Sequence, residues 1–145
     1  RLHYKAIRWM EEYTGIRYPF PKFGFVVIAT FQYSGMEHPG SICYKASSLF
    51  LDDSPTLNEQ LTRASLISHE TSHIWFGDLV TMKWFNDVWL KEVFAGFFAD
   101  KIVSPDFPTI DNDLRFLLSH YPAAYAVDRT QGSNPVIQQL ILLNL

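Results

Sequence analysis

The sequence lacks three features that would each have indicated a class of protein. It has a single cysteine, Cys43, among 145 residues, so no disulfide can form within the chain. No apolar run reaches membrane-spanning length, and the longest, FGFVVIATF (23–31), is typical of a buried strand. The 12 basic residues are scattered and the formal net charge is -3. The composition therefore predicts no membrane segment in this chain and no nucleic-acid partner.

The chain does contain enough hydrophobic residues to form a buried core. Hydrophobic residues make up 48% of it and aromatic residues 16%, which predicts one ordered domain or a piece of one. It opens on Arg1 without an initiator methionine and closes on the apolar tail VIQQLILLNL (136–145). We therefore expect it to be a fragment of a longer protein, and either a cytoplasmic or a periplasmic location stays open.

The first half of the chain predicts a helix and two strands. Apolar residues at helical spacing indicate a helix over residues 2–14, ended by Gly15. The segments 23–31 and 41–51 are rich in β-forming residues and should lie side by side as strands. Between them, QYSGMEHPG (32–40) predicts a turn or an irregular strand.

The second half predicts three helices. Thr56 with Glu59 three residues later forms a capping-box pattern, so a long helix should run over residues 56–76. A second helix should begin near residue 86 or 87 and end at Val103, and a third should span 109–121 before Pro122 interrupts it. The segment DRTQGSNP (128–135) is typical of a loop.

The long helix contains the motif HETSH, residues 69–73. Because a helix turns about 100° per residue, His69 and His73 project from one face on successive turns, where two imidazoles can bind one metal ion. Glu70 lies just around the helix, a position that suits a base acting on a metal-bound water. The same residues also fit the face of an ordinary helix, and the motif by itself does not decide between the two interpretations.

Glu92 adds a third candidate ligand. It follows His73 after 18 intervening residues, lies on the next predicted helix, and has small and apolar helical neighbours. An unpaired carboxylate would be costly to bury on such a face, and a cation would offset that cost. His69, His73 and Glu92 form the two-histidine, one-glutamate set of a catalytic zinc that keeps one position open for water. A solvated helix glutamate is the alternative interpretation.

Two stretches of the sequence resemble a known family. HETSHIWFGDLVTMKWFNDVWLKEVFA (69–95) is similar to the segment that joins the zinc helix to the third ligand in the zinc aminopeptidases of gluzincin type, the family of aminopeptidase N and leukotriene hydrolase. SGMEHPG (34–40) resembles the substrate-binding motif of the same family, usually written GAMEN. The resemblance covers nearly the whole chain, with order and spacing in agreement.

This resemblance assigns roles to individual residues. It implies that His69, His73 and Glu92 bind one Zn²⁺ and that Glu70 is the general base and proton shuttle. Glu37 would bind the free α-amino group of a peptide substrate. Gly35 and Met36, if they lie on an edge strand, would pair with the substrate backbone.

The resemblance also implies a tyrosine that stabilises the transition state far downstream of the third ligand. Tyr121 and Tyr125 lie too close to Glu92 to match it, so we expect that tyrosine beyond Leu145. The isolated fragment is accordingly expected to bind zinc weakly and to show little peptidase activity.

Three positions depart from the family pattern. His38 replaces the asparagine of GAMEN, and Lys91 and Val93 flank Glu92 where the family commonly has asparagine and glycine. None of these changes removes a ligand. Lys91 does place a long cation beside the expected site, where it would alter the local electrostatics.

The fold implied is α+β: part of a thermolysin-like zinc peptidase catalytic core, with a small, mostly antiparallel sheet packed on helices. The function implied is metal-assisted hydrolysis of the N-terminal peptide bond of substrates with a free N-terminus, and other domains of the full-length protein would be its partners. Three alternatives stay open: a thermolysin-type endopeptidase, an epoxide hydrolase that shares the site, and a non-catalytic interaction scaffold.

Overall fold

A computed structural model describes residues 1–133 and 135–136 of the chain. The helices and strands follow the order α1, β1, β2, β3, α2, α3, α4, α5, and short 3-10 turns flank α4. Their bounds are α1 Leu2–Thr14, β1 Phe25–Ile28, β2 Gly35–Met36, β3 Ile42–Lys45, α2 Ala46–Leu49, α3 Leu57–His73, α4 Trp89–Val103 and α5 Asn112–Asp128. The α+β class expected from the sequence is confirmed, with a small sheet and several helices.

The sheet has three strands in the order β1-β3-β2, so β2, which consists of Gly35 and Met36, is an edge strand. Strands β1 and β3 are neighbours, which confirms that prediction, but they are parallel. The expectation of a mostly antiparallel sheet is wrong, because only the short β2 pairs antiparallel to β3. The chain reverses direction before β2 and again after it, which leaves β1 and β3 pointing the same way.

The second predicted strand is shorter than expected. It ends at Lys45, and Ala46–Leu49 turns into the short helix α2. The segment Ala46-Ser47-Ser48 lacks the β-branched and aromatic residues that extend a strand, which explains the early end. Within β3, Ile42 and Tyr44 are buried on the side of the sheet that faces the core.

The core lies between this sheet and helices α1, α3 and α4. Helix α3 packs against both α1 and α4 and carries eight buried residues, so it forms the centre of the domain. The main buried cluster comprises Ala6, Met10, Ile42, Tyr44, Leu49, Ile67, Ile74, Trp75, Phe98 and Ile102. At the start of α3, Thr56 and Glu59 form the capping box that the sequence predicted.

Helix α3 ends at His73, three residues earlier than predicted. The backbone N–H of Asp78 donates to the carbonyl of His73 at 2.9 Å, and Gly77 adopts a positive φ of 141°. Only glycine enters that conformation without strain, so the chain turns sharply directly after the second histidine. The turn brings the Phe76 carbonyl back toward the side chain of His73.

Helix α5 differs most from its prediction. It begins at Asn112, capped by Asp111, and continues through Pro122 to Asp128, so the expected interruption at Pro122 is wrong. None of its residues is buried, so water can satisfy the carbonyl that proline leaves without its helical hydrogen bond. Of the predicted loop 128–135, residues 129–132 form turns and a bend, and residue 134 lies outside the described residues, as does nearly all of the tail 136–145.

Among the described residues, no helix has both the length and the apolarity needed to cross a membrane.

Candidate metal centre

The structure brings the three predicted ligands together. The Nε2 atoms of His69 and His73 lie 3.0 Å apart. Oε2 of Glu92 is 3.3 Å from Nε2 of His69 and 3.4 Å from Nε2 of His73. One oxygen from α4 thus faces two nitrogens from α3, and the three atoms form a nearly equilateral triangle.

This triangle fits a tetrahedral metal ion. Zinc bonds of about 2.0–2.2 Å in a tetrahedral site separate neighbouring ligand atoms by roughly 3.3–3.6 Å. The distances to Glu92 fall in that range, and the two imidazoles are only slightly closer together. Two imidazoles and one carboxylate are also a donor set that zinc accepts, so the residues present fit the ion that the resemblance implies.

The orientation of His73 supports the same interpretation. Its Nδ1 lies 3.1 Å from the Phe76 carbonyl, which accepts a hydrogen bond when Nδ1 carries the proton. That tautomer leaves the lone pair of Nε2 directed at the other candidate ligands. The side chain of His73 is only 1% exposed, so packing holds the ring in place.

Glu92 does not lie in the apolar environment that the sequence suggested. Its side chain is 52% exposed, so the argument from the cost of burial is wrong. The carboxylate is held instead by the imidazoles and by Lys91, whose Nζ lies 3.1 Å from Oε1. Contacts with the imidazoles of His69 and His73 lower the pKa of Glu92 far below its ordinary value.

Glu70 lies beside the triangle rather than in it. It is 5% exposed, and a Cβ added at Gly35 would overlap its carboxylate, so the edge strand β2 passes directly over this group. Burial, assisted by the negative charges of Glu37 and Glu92, raises the pKa of Glu70 to about 7. Glu70, Glu37 and His73 form a second group of closely spaced donor atoms.

Glu37 is buried in the same cleft, with 7% of its surface exposed. Its Oε1 accepts a hydrogen bond from the Lys91 ammonium and lies 4.0 Å from Nδ1 of His73. Burial alone would raise the pKa of Glu37, but the hydrogen bond from the Lys91 ammonium holds it below its ordinary value. Glu37 therefore stays ionised although it is buried.

These side chains surround one cleft of about 570 Å³. It is lined by Tyr33, Ser34, Gly35, Met36, Glu37, Leu66, His69, Glu70, His73, Val88, Lys91 and Glu92. Every site residue predicted from the sequence is among them. The contact of Lys91 with both Glu37 and Glu92 was missed, although the unusual lysine directly before the third ligand was a signal for it.

The fold and the cleft define a class of protein: an α+β domain with two histidines and one glutamate gathered as a candidate metal centre. A family model described as the Peptidase family M1 domain matches residues 2–142. The chain belongs to peptidase family M1.

Several longer proteins are similar to this chain. It is 37% identical to the puromycin-sensitive aminopeptidase of Caenorhabditis elegans over 93% of its own length and 14% of that protein. It is 35% identical to the leucyl aminopeptidase of Saccharolobus solfataricus over 90% of its length and 17% of that protein. It is 37% identical to endoplasmic reticulum aminopeptidase 1 of Mus musculus over 90% of its length and 14% of that protein. The chain thus spans 14–17% of the length of these relatives.

Proposed function

We propose that this chain is part of the catalytic domain of a zinc aminopeptidase. The observation that carries the proposal is the position of Glu37, a buried and ionised carboxylate in the same cleft as His69, His73 and Glu92. Relatives named as aminopeptidases support it. Zinc held by those three residues supplies a Lewis acid that polarises a peptide carbonyl and lowers the pKa of water.

The remaining chemistry falls to the side chains of the chain itself. Glu70, beside the three ligands, takes a proton from the attacking water and returns a proton to the departing amine. Its contact with β2 fixes the carboxylate, so a proton at Glu70 stays close to the scissile bond. The oxyanion needs a further donor, which we assign to a tyrosine beyond Leu145.

Glu37 gives the site its preference for chain ends. A buried carboxylate pairs with the ammonium of a free N-terminus, whereas an internal peptide offers it no cation. Because Glu37 lies 4.0 Å from His73, an ammonium bound there places the first peptide bond of the substrate at the ligand triangle. Gly35 and Met36 then add the substrate backbone to the free edge of β2 as a further strand.

The full-length protein provides the test, since we expect this part alone to bind zinc weakly and to have little activity. Peptides of one sequence with a free or an acetylated N-terminus should be compared at saturating zinc. We expect release of the first residue from the free peptide and at least about a hundredfold lower kcat/KM for the acetylated one, as for loss of a buried charged partner.

Equal cleavage of both peptides at internal bonds would instead identify a thermolysin-type endopeptidase. No cleavage of either would favour a non-catalytic scaffold. Glu37→Gln is the matched variant: it should bring the kcat/KM of the free peptide close to that of the acetylated peptide while zinc content stays unchanged.

A further inference from the structure

Lys91 connects two parts of the cleft that have different tasks. It directly precedes Glu92 on α4, and its side chain is 17% exposed. Its ammonium donates a hydrogen bond to Oε1 of Glu37 and lies 3.1 Å from Oε1 of Glu92. A single flexible side chain therefore joins the proposed amine-binding carboxylate to a candidate metal ligand.

The Lys91 ammonium is chemically equivalent to the group that Glu37 is proposed to bind. A lysine ammonium and the ammonium of a peptide N-terminus are both compact cations with three N–H donors. Either ammonium can form an ion pair with a buried carboxylate, but two such cations at one carboxylate repel each other. Lys91 therefore lies where the charge of the substrate would otherwise be placed.

If the Lys91 ammonium moves away from Glu37, it still has a second carboxylate partner, Glu92. Oε1 of Glu92 is the oxygen that does not face the histidines, so the ammonium stays paired there without competing for Oε2. The long lysine stem allows such a shift, because its charge is carried on a flexible four-carbon chain. Lys91 can therefore give up its hydrogen bond to Glu37 while the three candidate ligand atoms stay in place.

We propose that Lys91 is a specificity-determining residue that acts as an internal stand-in for the ammonium of the substrate. This inference rests on the proposed aminopeptidase function. Before a peptide binds, Lys91 neutralises Glu37, so a free N-terminus must compete with it for the carboxylate. A blocked N-terminus leaves Glu37 paired with Lys91 rather than unpaired. Lys91 therefore raises the KM for peptides with a free N-terminus. It also lowers the ratio of kcat/KM between peptides with a free and with a blocked N-terminus.

The test compares Lys91→Met with the wild type in the full-length protein at saturating zinc. We expect the KM for a peptide with a free N-terminus to fall roughly tenfold, the scale of one charge-assisted hydrogen bond in a partly exposed site. The ratio of kcat/KM between free and acetylated peptides should rise by a similar factor. Lys91→Arg keeps the charge and should stay near the wild type in both quantities.

A double-mutant cycle with Glu37→Gln shows whether the effect passes through Glu37. In the Glu37→Gln background, Lys91→Met should no longer lower the KM. Lys101→Met is the matched control, because it removes the same charge from an exposed position ten residues along α4, roughly 15 Å away. It should leave KM, kcat and zinc content unchanged.

A lysine that only holds Glu92 in place would give a different pattern. Lys91→Met would then lower zinc content or kcat and leave the KM unchanged, and that pattern overturns the inference. Persistence of the KM effect without Glu37 overturns it too. Lys91→Gln, which removes the charge but keeps a polar side chain, provides the same readouts if the methionine variant does not fold.

The wild type separates failure of this inference from failure of the proposed function. If the wild type prefers free N-termini but Lys91→Met changes neither KM nor discrimination, only the role of Lys91 is wrong. If the wild type has no preference for free N-termini, the aminopeptidase assignment fails, and the role of Lys91 fails with it.

Discussion

The two helices that supply the candidate ligands are held in different ways. Helix α3 carries His69 and His73 in a segment packed against α1 and α4, and from Ile67 onward nearly all of its residues are buried. Helix α4 carries Glu92 in its first turn, before its first buried residue, Ala95. Leu90 and Val93, near Glu92 on α4, are exposed, whereas Lys91 is 17% exposed.

The first turn of α3 is also better stabilised than the first turn of α4. Helix α3 begins with a complete capping box, whereas α4 follows a 3-10 turn and has no side-chain cap. Two of the candidate ligands, His69 and His73, are therefore held in place by the fold itself. The third is fixed mainly by its own polar contacts, with His69, His73 and Lys91. We therefore expect binding of a metal ion to change the α4 side of the site more than the α3 side.

The largest expected effect comes from the base on the rigid helix. Glu70→Gln should lower kcat in the full-length protein by roughly 10²–10⁴, the usual contribution of a general base. Zinc content should be unchanged, because Glu70 lies outside the ligand triangle. Peptide turnover and elemental analysis of the same sample provide the check, and a drop in zinc content would mean that Glu70 is itself a ligand.

Substitution of one candidate ligand on each helix tests the difference between α3 and α4 directly. His73→Ala and Glu92→Gln should each lower zinc affinity by more than the roughly 10–100-fold typical of losing an outer hydrogen-bond partner. Their effects on the zinc-free protein should differ. His73 is 1% exposed, so its truncation should cost roughly 2–4 kcal/mol of unfolding free energy.

Glu92→Gln should cost less than about 1 kcal/mol in the zinc-free protein, because solvent screens the contacts of a side chain that is 52% exposed. Chemical denaturation with and without chelator, together with zinc titration, measures both quantities. Equal losses of zinc-free stability in the two variants would contradict the distinction between a rigid and an adaptable side of the site.

The smallest effect concerns the helix start. Thr56→Ala should destabilise α3 by about 1 kcal/mol through loss of the cap. Hydrogen exchange in the first turn should quicken, and exchange around Glu92 should stay the same. Glu59 has a lowered pKa, chiefly because the Thr56 side chain donates to it, so its contribution is present at neutral pH and is lost on acidification. The difference between variant and wild type should therefore shrink in acid; a difference independent of pH would count against the capping box.

Much of this architecture could be predicted because it is local. Helical spacing places His69 and His73 on one face whatever the rest of the chain does. The capping pattern at Thr56 likewise located the start of α3. Predictions about medium-range events were less accurate: Pro122 does not end α5, since that helix is exposed, and α3 ends at His73, three residues before its predicted end.

The sequence by itself determined the spacing of His69 and His73 on α3 and the start of that helix, because helix periodicity and capping depend on residues within a few positions of one another. The resemblance to a known family assigned Glu92 the role of third candidate ligand and implied the α+β class. Only the tertiary structure decided that Glu92 meets the histidines while half exposed and that Lys91 pairs with Glu37. It also decided that β1 and β3 run parallel. These features join segments far apart in the chain, and their distances follow from how α3, α4 and the sheet pack together.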